Sequence, residues 1–189
     1  MGAVTLLPNS LRDNGWFETL TEVPPAAPLL GPTEADVVVV GAGFTGLAAA
    51  RRLGELRPDA HILLLEAGRI GNSAAGRSSG FGIDHAHNIR SEGFADSAEF
   101  EKQQIALNRA GLAYLEEAVT THEIDCDWSW TGKTHAACTN RGARDLEHFA
   151  ATLDRIDEPY ELLDADAMVD RLGIDHYHRG LHTPGTALM

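Results

Sequence analysis

Gly41-Ala42-Gly43-Phe44-Thr45-Gly46 places three glycines at the spacing G-x-G-x-x-G, and Glu66 follows twenty positions after the last of them. Such a run can hold the phosphates of a dinucleotide. Gly41 permits a tight turn, and Gly43 removes the side chain that would keep a pyrophosphate away. The N–H groups opening a helix behind them offer that phosphate partial positive charge. A carboxylate at Glu66 can accept hydrogen bonds from both hydroxyls of an adenosine ribose and would repel a 2′-phosphate. Phe44, Thr45 and Ala67 are the immediate neighbours of these groups and join the candidate cofactor-binding set. Taken singly, the glycines read as an ordinary turn and Glu66 as a solvated strand end. Their order and context carry the binding expectation.

The flanking sequence supplies that context. Asp36–Val40, DVVVV, is a short β-branched run stopped by glycine, and it suits a strand buried on both faces. LAAARRLGELRP after Gly46 is rich in strong helix formers and ends near Pro58, and Ile62–Leu65 is a second apolar strand. Strand, glycine turn, helix and strand in that order make a βαβ unit. At this point FAD and NAD are equally compatible, since both use the same unit.

A second glycine-rich stretch, Gly71-Asn72-Ser73-Ala74-Ala75-Gly76-Arg77-Ser78-Ser79-Gly80, follows the carboxylate. From Asp36 through Gly80 the chain resembles the D-amino acid oxidase (DAO) superfamily of FAD-dependent oxidoreductases, whose members carry a segment like G-x-G-A-S-G-R-N-G-G there. Gly71, Ala74, Gly76, Arg77 and Gly80 match, while Ser73, Ala75, Ser78 and Ser79 are small replacements that keep the loop tight and polar. The resemblance implies FAD as cofactor, with this second loop wrapping the pyrophosphate and approaching the flavin. That is sensible physically, because small residues let main chain lie against a planar ring, and Arg77 can offset phosphate charge. It also implies oxidation of a C–N bond of a small amine or amino acid by hydride transfer to flavin. Among subgroups the look is nearest to gamma-glutamylputrescine oxidase-like amine oxidases.

The rest of the chain fits the same family. A long helix is expected from about Ser97 to Thr121, acidic at its start (Asp96, Glu99, Glu101) and with Ile105, Leu112, Leu115 and Val119 on one face. CDWSWTGKTHAACT reads as two strands around Thr131-Gly132-Lys133, resembling the family's paired strands around a T-G-x-L core. Helices are expected at Arg144–Ile156 and Ala165–Leu172, and YHRGLHTPG as a strand entering a turn.

The expected fold is therefore α/β: a Rossmann-like, glutathione-reductase-like FAD-binding βαβ domain (36–95), then a long helix and the start of a mixed-sheet substrate domain (96–189). An arm with a proline-rich linker (1–35) precedes them, with Trp16, Phe17 and Leu20 expected against the body and PPAAPLLGP extended. The resemblance covers only about the first half of a typical member, so the chain reads as truncated and inactive alone. The alternatives are a non-catalytic fragment, a subunit whose partner carries the C-terminal half, or an NAD-binding Rossmann protein. No catalytic residue is assigned.

The net charge of −13 disfavours nucleic acid. No apolar run is long enough to span a bilayer, and nothing at the start reads as a secretion signal, so a cytoplasmic location is expected. Cys126 and Cys138 read as reduced thiols. His85 and His87, with His176, His178 and His182, lack convincing third and fourth ligands, so no metal is expected. His85 and His87 carry one minor further reading, as residues lining a flavin cavity or linking covalently to it.

Overall fold

The computed structural model describes residues 14–22, 27–85 and 98–189. His87, Asp96, Ser97, Pro24 and Pro25 lie outside the described residues. The chain divides into two compact units, one up to Ser79 and one from Gly80 onward.

In the first unit, β1 (Val37–Val40) runs parallel to β2 (Ile62–Leu65), with Val37 opposite Ile62 and Val40 opposite Leu65. They are joined by α1 (Phe44–Leu56), thirteen residues built largely from alanine, leucine and arginine, which are good helix formers. Arg51 and Arg52 both reach Glu55, at 3.0 and 2.7 Å, on the solvent side of that helix. Val39 faces α1: a Cβ on Gly46 would lie 3.6 Å from its Cγ1.

The opposite face differs from the sequence expectation of a strand buried on both sides. Val38 is 49% exposed and Val40 82%, because no layer among the described residues covers them. Uncovered valines on a strand promote association. The 189-residue chain on its own should therefore self-associate, and a concentration-independent monomer in sedimentation velocity would contradict this.

The second unit holds two antiparallel sheets. β3 (Phe81–Gly82) and β4 (Ser129–Trp130) flank β8 (Ala187–Leu188), while β5 (Lys133–Ala137) and β6 (Glu161–Leu163) flank β7 (Arg179–Thr183). Three helices complete it: α2 (Ala98–Thr121), α3 (Asn140–Ile156) and α4 (Ala165–Leu172). α3 starts four residues before Arg144 because Thr139 caps it, its hydroxyl accepting from the Gly142 N–H at 3.1 Å. Leu146, Phe149, Ala150, Leu153 and Ile156 of α3 form the core with Ile105, Ala137 and Leu181. The apolar stripe of α2 is buried at Ile105 and Leu112 and opens to solvent at Leu115.

Thr131-Gly132-Lys133 does not join a hairpin, contrary to the simplest reading of that sequence. β4 and β5 belong to different sheets and pair with β8 and β7 respectively. They are successive parts of one strand running beside another. Lys133 stands opposite Thr183 and Trp130 opposite Ala187, so Thr131 and Gly132 face three residues, Pro184, Gly185 and Thr186. That mismatch is a β-bulge, and it lets the ribbon bend from one sheet into the other. Gly132 sits at φ +67°, and its N–H donates to the Thr186 carbonyl at 3.0 Å, which carries the pairing across the bend.

Candidate functional site

The first glycine loop forms where β1 ends. Gly41 adopts φ +96°, a left-handed region open to glycine, and its N–H donates to the Leu65 carbonyl at 2.7 Å. A Cβ on Gly46 would strike the Gly41 carbonyl, so helix and turn approach closely only because Gly46 lacks one. Gly43 is the N-cap of α1 and brings no side-chain cap. A Cβ there would meet only the Cβ of Ala75, 4.0 Å away.

Glu66 fastens this loop. Its Oε2 accepts from the Ala42 N–H at 2.8 Å, and its Oε1 from the Gly68 N–H at 3.1 Å. The bond from Ala42, then that from Gly68, holds the carboxyl below its usual range, so it is ionised at neutral pH. Each oxygen retains a second lone pair for a ribose hydroxyl.

The second loop carries a short 3-10 turn, Ala74–Arg77. Gly71 is at φ +83°, and Gly76 folds back onto its carbonyl so tightly that a Cβ on Gly76 would collide with that oxygen. Ser73, Ala74, Arg77, Ser78 and Ser79 are exposed. Glu66 and Ala42 are thus joined directly, and Ala75 of the second loop comes beside Gly43 of the first. Phe44, Thr45 and Ala67 are exposed neighbours. Gly80 is buried in the second unit, at φ +77°, its carbonyl accepting from the Met189 N–H at 2.9 Å. These groups fit a dinucleotide: a glycine open to approach, an uncapped helix start, and a carboxylate between the two loops.

The family described as FAD dependent oxidoreductase (DAO) matches residues 36–189, which takes in both loops, Glu66 and the second unit. The chain belongs to this family. It is 31% identical over 186 residues to the probable oxidoreductase OrdL of Rhizobium meliloti (strain 1021), a match covering 90% of this chain and 40% of that protein. It is 30% identical over 144 residues to the gamma-glutamylputrescine oxidoreductase of Escherichia coli (strain K12), covering 75% of this chain and 33% of that protein. The fold matches that of glycine oxidase from Geobacillus kaustophilus with TM-score 0.64 at 23% identity, over 82% of this chain and 40% of that one. It matches an L-amino acid deaminase of Proteus vulgaris with TM-score 0.61 at 19% identity, over 88% and 41%. The chain spans 40% or less of the length of these curated relatives. Among the described residues, no helix is long and apolar enough to cross a membrane.

The second unit contains a polar cluster that sequence spacing does not reveal. Asp84 is fully buried, and His85 is 3% exposed. Asp84 Oδ1 accepts from the His85 N–H at 2.9 Å and lies 2.8 Å from His85 Nδ1. His85 Nε2 comes within 3.3 Å of Glu158 Oε2. Arg109 closes the circuit, gripping Glu158 at 3.0 and 2.6 Å and donating to Asp84 Oδ2 from Nε at 3.1 Å. Burial raises the Asp84 carboxyl, but the bonds from His85 and Arg109 outweigh it and bring the pKa down to about 2. Lys133 is pushed down by burial, with Asp84 opposing that shift.

His85 is therefore held through Nδ1 by Asp84, while its buried Nε2 lies near Glu158 without a hydrogen-bond partner among the described residues. His182 pairs with Thr134 at 3.0 Å, and His176 packs edge-on against Tyr177. Among the described residues, no three His, Cys, Asp or Glu side chains gather as a metal site.

Proposed function

We propose that this chain is the FAD-binding portion of an oxidoreductase that oxidises the C–N bond of a small amine or amino acid. The observation that carries the reading is the approach of the two glycine loops at Gly43 and Ala75, with Glu66 fastened to the first. The names of the relatives support the substrate class: a gamma-glutamylputrescine oxidoreductase, a glycine oxidase and an L-amino acid deaminase are each named for an amine or amino-acid compound.

Bound flavin would supply the oxidising step, taking the hydride from the carbon beside the amine nitrogen. The chain's own residues bind and orient. Gly43 leaves the start of α1 open, so a pyrophosphate can meet backbone N–H groups and the positive end of the helix dipole. Glu66 uses its remaining lone pairs on the ribose hydroxyls, and its charge rejects a 2′-phosphate. Glu66→Ala removes this contact and the tie to Ala42 together. FAD affinity should fall by roughly 1 to 3 kcal/mol, read by titration of flavin fluorescence.

The chain matches only part of its relatives' length, and we infer that turnover requires the remainder, on the same polypeptide or on a partner chain. The deciding experiment is gel filtration of the chain with added FAD. Flavin that co-elutes with a perturbed visible spectrum supports the reading, and flavin left wholly in the salt volume sinks it.

A further inference from the structure

We propose that Asn14–Thr19 is a positioning element of the cofactor site, a strap that holds the second glycine loop at both ends. This rests on the reading of that loop as part of the FAD site. A 3-10 turn, Gly15–Thr19, and its N-cap Asn14 together present three contacts from far away in sequence. Asn14 Nδ2 donates to the Gly71 carbonyl at 2.6 Å, at the start of the loop. Trp16 Nε1 donates to the Ser78 carbonyl at 2.8 Å, near its end and 62 positions along the chain. Between them, the Phe17 ring lies against Gly71, where a Cβ would be 3.4 Å from it, and the Arg69 guanidinium stacks 5.0 Å over the same ring.

The strap residues are themselves constrained. Asn14 is 4% exposed, and its Oδ1 accepts from the N–H groups of Trp16 at 3.0 Å and Phe17 at 3.2 Å. Its carboxamide is thereby fixed with the N–H₂ toward Gly71. Asn14 thus both caps its own turn and anchors it to the loop.

The consequence is entropic and electrostatic. A loop of glycine, serine and alanine loses conformational freedom when its backbone is fixed, and glycine loses most. If that ordering occurred on binding, it would subtract from cofactor affinity; a loop already pinned at Gly71 and Ser78 has met much of the cost in folding. The two carbonyls taken by the strap are also turned to donors of the protein, so their negative ends are engaged before an anionic pyrophosphate arrives.

The test uses the 189-residue chain, with Trp16→Phe, which keeps a ring but loses the indole donor, and with Asn14→Ala. Hydrogen exchange of the 71–80 peptide is measured without cofactor, and FAD affinity separately. Each variant should speed exchange in that peptide and weaken FAD binding about fivefold, the equivalent of one ordinary hydrogen bond, with exchange in α3 unchanged. Trp130→Phe, remote from the loop in sequence and in the other unit, should do neither. Unchanged loop exchange in both variants overturns the strap. Faster exchange with undiminished FAD affinity overturns its role in positioning the site. Failure of the unaltered chain to bind FAD overturns the cofactor reading instead, a result separable from the other two because loop exchange needs no cofactor.

Discussion

Gly46→Ala should cost the protein roughly a hundredfold in FAD affinity and also lower its melting temperature. The added methyl group would fall on the carbonyl of Gly41, a backbone atom in a left-handed turn that cannot swing aside as a side chain would. Relief requires the start of α1 to move away from the end of β1, at a cost near the upper end of the 1 to 3 kcal/mol typical of overpacking. Gly43→Val is the informative contrast. The space before Gly43 holds only Ala75 at 4.0 Å, so the fold should tolerate valine with little change in melting while FAD binding is lost to its side chain. Titration with FAD and thermal melting of both variants give the check. Equal affinity of Gly43→Val and the unaltered chain would remove the first loop from the cofactor site.

Asp84→Ala should destabilise the second unit by about 3 kcal/mol, the scale of leaving buried charges without their partner. It strands the His85 ring and takes from Arg109 one of two carboxylates, in a cluster where Asp84 itself has no exposed surface. Arg109→Met should cost less, since 41% of that side chain is in solvent and its charge is partly screened. Urea unfolding followed by the fluorescence of Trp128 and Trp130 reports on this unit, at concentrations low enough to keep association out. A shift below about 1 kcal/mol would mean that the cluster is replaceable packing.

The acid limb gives a second reading of the same group. The Asp84 pKa is depressed in the fold, from an ordinary 3.8 to about 2. Its contribution to stability is complete above the ordinary value and disappears as pH falls through the folded one. Asp84→Asn should therefore flatten the loss of stability between about pH 4 and pH 2.

The first unit was largely legible from sequence because its signals are local. Valines in a row, a glycine turn, alanines and arginines, then Ile62–Leu65 specify β1 and β2 to within a residue, while α1 begins at Phe44, three residues before the helix-forming run after Gly46. The second unit was less so. β6 and β8 have three and two residues, too few for periodicity to show, and they exist through their partners. Asp84 lies 25 positions from Arg109, which in turn lies 49 from Glu158, so no window of sequence contains the cluster. Asn14 was missed for the same reason, its partner Gly71 being 57 positions away. Trp16 and Phe17 did meet the expectation of contact with the body, although Trp16 and Leu20 remain 45% and 49% exposed.

The bulge at Pro184–Thr186 sets a parity. Side chains along a strand alternate, so one residue more or fewer reverses every side chain that follows it. Ala187, wholly buried, and Leu188, half-buried, would exchange surroundings if that link lost a residue. Gly185 within it already lies so close to the Asp84 carboxylate that even a methyl group would collide with it. The length of this three-residue step is therefore under tighter constraint than the length of an ordinary surface connection. Insertions and deletions should be tolerated around it, in the connections between α3 and β7, long before they are tolerated within it.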